Sequence, residues 1–171
     1  MQKGLTEGTL GAWLLERHPS AHTVRTDKTL YSFVQDIKNS CLRGTEPLSR
    51  VMFDNKLQIV AHALGTHTTV ARVQGTRLKA KREIRIASLF KDTPLAFLRM
   101  IAVHELAHFK ERAHDRAFYQ LCTYMEPDYH QLEFELRVYL TLMEATGQRL
   151  WGTTETSVEP PALQPPARLT V

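Results

Sequence analysis

Met100-Ile101-Ala102-Val103-His104-Glu105-Leu106-Ala107-His108-Phe109-Lys110-Glu111-Arg112-Ala113-His114-Asp115-Arg116-Ala117-Phe118 is the stretch from which the rest of the chain is read. It contains an H-E-x-x-H motif, His104 to His108, with a further histidine at His114. On a helix, residues four apart stack on one face, so the imidazoles of His104 and His108 can converge on a single ion. Glu105 sits about 100° round the helix from His104, placed to meet a water at that ion but not to join the histidine pair. Two neutral imidazoles plus a carboxylate base is the division of labour a zinc hydrolase requires. Histidines at this spacing also occur as plain surface or core residues, and here the flanks decide. Leu98, Ile101, Val103, Leu106 and Ala107 make the helix apolar. Polar groups set into such a helix are costly unless they are paired or ligating.

The chain has 171 residues, 43% of them hydrophobic, enough for one compact core. We expect a single domain over residues 1–152 and a disordered tail over 153–171, where Pro160, Pro161, Pro165 and Pro166 are half of the eight prolines. The sequence holds no apolar run of membrane-spanning length, and its N-terminus lacks a charged region followed by an apolar core. Neither a membrane partner nor a signal peptide is therefore expected. Cys41 and Cys122 show no metal or redox spacing, which fits two reduced core thiols and a cytoplasmic location. A net charge of +4 and a pI near 9.2 permit phosphate or nucleic-acid partners without specifying one.

Leu10, Trp13, Leu14 and Leu15 have helical spacing, and His18-Pro19-Ser20 stops the pattern. A second helix is expected from Asp27 as its cap, with Leu30, Phe33, Val34 and Ile37 on its apolar stripe. His18 and His22 fall between the two and read as exposed loop residues, while Gly44 and Pro47 mark a turn. From Ser49 the period becomes two. Val51 and Phe53 alternate with polar residues, and Leu57, Ile59 and Ala61 resume the alternation after Asp54-Asn55, the pattern of a hairpin. Thr66 to Val73 favours another strand. Arg77 to Ile86 is the clearest one, with Leu78, Ala80, Ile84 and Ile86, interrupted by Arg82, on one face and Arg77, Lys79, Lys81, Glu83 and Arg85 on the other. That basic face is either a solvated sheet face or an anion-binding surface, but it lacks the interleaved aromatics of a single-strand binder. Asp92 or Thr93 is expected to cap the motif helix and Pro94 to occupy its first turn. Further helices should run from Asp115 through Met125, ending at Glu126-Pro127, and from Tyr129 to a stop at Gly147.

Phe97 to His108, then Glu111, His114, Ala117 to Cys122 and Met125 to Glu133, together with Arg72 to Gly75, Lys79 to Lys81 and Glu83 to Arg85, resemble the bacterial YgjP-like family of zinc metallohydrolases. The resemblance covers the chain from about Asp27 to Leu142. With the N-terminal helices, the short antiparallel sheet expected from the hairpin, the H-E-x-x-H helix and the C-terminal helices read above, the resemblance implies an α+β fold, a small zincin-like domain. It also implies a metal held by that helix and a following histidine. The family's two labels, metallopeptidase-like and UTP pyrophosphatase, disagree, so the resemblance fixes the site better than the substrate.

His114 follows His104 by ten residues, the spacing of the extended H-E-x-x-H-x-x-G-x-x-H motif, although Glu111 replaces the glycine. On an unbroken helix His114 would lie about 120° from His108, so it can ligate only if the helix breaks. Residues 109–113 are good helix formers, but Asp115 is a strong cap for a fresh helix and favours the break. Glu126 and Glu133 are the substitute third ligands. The expected metal set is thus His104, His108 and His114 holding Zn(2+), with Glu105 as catalytic base. Tyr124, Tyr129, His130 and Arg99 are candidates to stabilise a developing oxyanion. The first reading of the substrate is a peptide or protein, since the strand before the motif helix can pair with an extended chain. A nucleoside triphosphate is the alternative, given the density of cations and despite the lack of a phosphate loop. A non-catalytic zinc-stabilised module that binds nucleic acid through Lys79, Lys81 and Arg85 is a second alternative.

Overall fold

A computed structural model describes residues 2–45, 47–57 and 82–152. Five helices and two strands follow in the order α1 (Gln2–Arg17), α2 (Asp27–Cys41), β1 (Leu48–Asp54), β2 (Arg82–Ala87), α3 (Leu95–Ala107), α4 (Arg116–Met125) and α5 (Tyr129–Thr146), with a 3-10 turn over Ser88–Asp92. This is an α+β arrangement. The tail from residue 153, the strands read over 66–80 and the far arm of the hairpin lie outside the described residues.

Local chemistry sets the element ends. α2 is capped by Thr26, one residue earlier than expected, in a reciprocal box with Thr29. Asp27 is thereby released to accept the Phe53 backbone N–H at 3.0 Å, which ties α2 to β1. Neither Asp92 nor Thr93 caps α3. Pro94 precedes its first residue, and the Pro94 carbonyl accepts from Phe97 and Leu98. Asp115 caps α4 as read, accepting the Phe118 N–H at 3.1 Å. Gly147 ends α5 with φ +69, a left-handed turn that glycine adopts without a Cβ penalty, and its N–H reaches the Met143 carbonyl at 2.9 Å.

The sheet corrects one expectation. Among the described residues it has two strands, and β1 pairs with β2 in parallel, Val51 opposite Ile84 and Phe53 opposite Ile86, where an antiparallel sheet was expected. Alternation reveals which face of a strand is buried but not its direction, and residues 55 to 81 supply a connection long enough for a crossover. Ile84 and Ile86 are buried while Glu83 and Arg85 face outward, as the period of two required.

β2 runs straight into the 3-10 turn and α3, so the strand aims the motif helix into the core. Phe97, Leu98, Val103 and Leu106 of α3 are fully buried, and α3 packs on both α4 and α5. The two histidines read as exposed are both tied in. His22 is 8% exposed; its Nε2–H donates to the Phe90 carbonyl at 2.7 Å and its Nδ1 accepts from the Val24 N–H at 3.0 Å. Burial holds its pKa below the ordinary 6.5. His18 meets the Glu135 carboxylate at 2.6 Å, and its ring lies against Phe97. Glu135 is fully buried and also accepts from Arg17 at 2.5 Å and Gln131 at 2.8 Å. Burial alone would raise its pKa, but the hydrogen bonds from His18, Gln131 and Arg17 outweigh it and hold the carboxyl below its ordinary value. This knot joins the end of α1 to α5. Trp151 closes it by donating its indole N–H to the His18 carbonyl at 2.7 Å.

Candidate active site

α3 stops at Ala107 with His108 as its C-cap, and a tight turn follows: Phe109 N–H reaches the Leu106 carbonyl, and Lys110 and Glu111 N–H reach that of Ala107. The helix formers at 109–113 do not extend the helix. The Glu111 carbonyl turns back to accept from His108 Nδ1 at 3.0 Å, which folds the chain over the end of α3. The Asp115 cap then starts α4 so that His114 returns to the other two histidines.

His114 Nε2 lies 3.2 Å from His104 Nε2 and 3.1 Å from His108 Nε2. Among the described residues, these three form the one histidine, cysteine or carboxylate group close enough to hold an ion. The donor set fits a metal. Because the Glu111 carbonyl can only accept, His108 carries its proton on Nδ1, leaving Nε2 with a bare lone pair directed at the cluster. A tetrahedral ion with nitrogen ligands at about 2.0–2.1 Å holds those nitrogens roughly 3.3 Å apart, close to the spacing here. Burial, then the neighbouring His108 and His114, depress the His104 pKa from 6.5 to about 3, so His104 is neutral and able to ligate through the physiological range.

Phe118 is the floor of the site. Fully buried, its ring centroid lies 5.0, 4.7 and 4.6 Å from those of His104, His108 and His114. Glu105 is half-buried beside His104, and among the described residues its carboxyl has no hydrogen-bond or ion-pair partner. Burial pushes its pKa from 4.5 up to about 8. A carboxyl shifted this far by burial, beside three converging imidazoles, is the kind of perturbed group that clusters at functional sites.

The remaining sequence candidates separate. Glu126 is held by Arg99 at 2.5 Å, and Glu133 lies against Arg137 and His130, so neither substitutes for His114. Arg99 is committed to that pair and to the Met125 carbonyl, and Tyr124 is 68% exposed on α4. Tyr129, read as a possible oxyanion stabiliser, is 1% exposed, with its Oη 2.7 Å from His104 Nδ1, the ring nitrogen other than the one that meets His114. Arg85 is paired with Glu83 and Asp54, and Lys79 and Lys81 lie outside the described residues. The sequence reading missed Phe118 as the floor. Its position just after the Asp115 cap was the available signal.

Both cysteines are free, and no described helix is long and apolar enough to cross a membrane. No solved structure matches the chain. A relative from Escherichia coli (strain K12), named UTP pyrophosphatase, is 55% identical over 137 residues, covering 80% of this chain and 82% of the relative. A family model described as "YgjP-like, metallopeptidase domain" matches residues 50–139, which include the H-E-x-x-H helix, His114 and Tyr129. The chain belongs to the YgjP-like family.

Proposed function

We propose that the protein is a zinc-dependent hydrolase of nucleoside triphosphates, UTP first among them, with His104, His108 and His114 holding the metal and Glu105 as general base. The observation that carries the hydrolase reading is the convergence of three imidazole nitrogens beside an unpaired carboxyl. When bound, zinc supplies a Lewis acid that lowers the pKa of water toward about 7 and polarises the attacked oxygen. Glu105 accepts a proton as the water oxygen bonds to one phosphorus of the α–β anhydride. The bridging oxygen leaves on the other phosphorus with the bond pair. Glu105 then returns the proton, and the products are a nucleoside monophosphate and pyrophosphate.

Two observations favour a triphosphate over the peptide that the motif alone put first. One is the 55% identity to a relative named UTP pyrophosphatase. The other is charge: the segment that delivers His114 carries Lys110, Arg112 and Arg116, all exposed, and none has a carboxylate partner among the described residues. Unpaired cations bracketing a ligand cluster suit a polyphosphate. The peptide reading keeps one specific support, the metallopeptidase description of the matching family model. Zinc-loaded protein given UTP and the other triphosphates in one arm, and unfolded protein and peptide libraries in the other, separates the two. Pyrophosphate release without peptide cleavage supports the proposal; peptide cleavage without pyrophosphate release replaces it with the peptidase.

A further inference from the structure

Tyr129 opens α5 at a point fixed by three contacts. Its backbone N–H reaches the Glu126 carbonyl at 3.0 Å, and Arg99 of α3 clamps the same turn through the Glu126 carboxylate at 2.5 Å and the Met125 carbonyl at 3.0 Å. The phenol therefore has little freedom. Its Oη lies 2.7 Å from His104 Nδ1. At 1% exposure Tyr129 has no path to a substrate.

The hydrogen-bond arithmetic gives this buried pair a direction. A neutral imidazole carries its proton on one nitrogen only, and a phenol oxygen can accept as well as donate. With Nε2 turned to the other two histidines as a ligand, His104 carries its proton on Nδ1, and the Tyr129 Oη at 2.7 Å is placed to accept it. Its Nε2, 3.2 Å from His114 Nε2, is then a bare lone pair, as at His108. The two motif histidines thus face the cluster in the same tautomer by different means, a backbone carbonyl for one and a tyrosine for the other.

We propose that Tyr129 is the positioning residue of the metal centre: it holds His104 as the Nδ1–H tautomer and so presents Nε2 for ligation. Outer partners of this kind orient the ring and raise its basicity, and their loss typically costs about 10–100-fold in metal affinity. The proposal rests on reading the three imidazoles as metal ligands, but the tautomer itself can be measured without metal.

Long-range 1H–15N spectra of the histidine side chains in the metal-free full-length chain report that tautomer directly. In the wild type His104 should be the Nδ1–H form. In Tyr129→Phe, which keeps the ring and loses the acceptor, Nε2–H should grow in, and zinc affinity by chelator competition should fall about 10–100-fold. Tyr139→Phe is the control, since Tyr139 is buried with its hydroxyl unpartnered among the described residues, and both readouts should stay at wild type. A wild-type His104 in the Nε2–H form overturns the proposal without any variant. So does a folded Tyr129→Phe protein with unchanged tautomer and unchanged affinity. If the wild type binds no zinc while the tautomer responds to Tyr129→Phe, the metal reading has failed and the positioning contact stands.

Discussion

His114 Nε2 lies 3.1 Å from His108 Nε2, although the residues are six positions apart and an unbroken helix would set them on different faces. The break after Ala107 and the Asp115 cap create that contact. If it marks a ligand set, the purified protein should carry about one zinc per chain. His104→Ala, His108→Ala and His114→Ala should each lose it in elemental analysis. Full metal in the His114 variant would leave the contact as packing alone.

Glu105 makes a prediction about the metal-free protein. Its carboxyl, raised from 4.5 to about 8, is neutral in the fold but ionised in the unfolded chain at neutral pH. The stability it contributes is fully present below pH 4.5 and is lost as the pH rises through about 8, an effect on the order of a few kcal/mol. His104 has the opposite sign: with its pKa depressed to about 3, its contribution is present above pH 6.5 and is lost as the pH falls toward 3. Between pH 6.5 and 9 the slope should therefore belong mainly to Glu105. Thermal unfolding of the metal-free wild type should show a falling Tm over that range, and Glu105→Gln should flatten it. Parallel curves would mean that Glu105 is not held neutral.

Lys110, Arg112 and Arg116 test the substrate class. Replacing each with Ala should raise KM for UTP by roughly tenfold, the scale of one lost charge-assisted contact, and should weaken the salt dependence of that KM. Zinc content should not change. Unaltered UTP kinetics in all three variants would remove the charge argument for a nucleotide.

Glu135 separates fold from site. Its removal in Glu135→Ala leaves Arg17 and His18 without their shared carboxylate and should cost about 3 kcal/mol by denaturant unfolding. Metal stoichiometry should be preserved, because the knot joins α1 to α5 away from the three imidazoles. Loss of zinc in the folded variant would show that the knot and the site are coupled.

His104, Glu105 and His108 were legible because helix geometry relates residues that are close in sequence. His114 was legible only through its spacing and the Asp115 cap, against the helix propensity of residues 109–113. Contacts between distant segments were not legible. Nothing local in Tyr129 says that α5 begins behind His104, and nothing in His22 says that the Phe90 carbonyl will meet its ring. Strand direction escaped for a similar reason: alternation at Val51, Phe53, Ile84 and Ile86 specifies a buried face, and that face is the same for parallel and antiparallel pairing. Thr26 took the cap from Asp27 because a threonine three residues ahead of Thr29 can form a reciprocal box, while Asp27 had a second use on β1.

The central claim is that Glu105 moves the proton in a reaction assisted by a metal held at the three histidines. The most direct measurement is pyrophosphate release from UTP by zinc-loaded wild type and Glu105→Gln, with the zinc content of both determined on the same samples. Glutamine keeps the shape of the side chain and cannot accept the proton. The account predicts equal zinc in both proteins, turnover by the wild type, and a loss of at least about 100-fold in Glu105→Gln. Wild-type turnover in a fully loaded Glu105→Gln protein would contradict it.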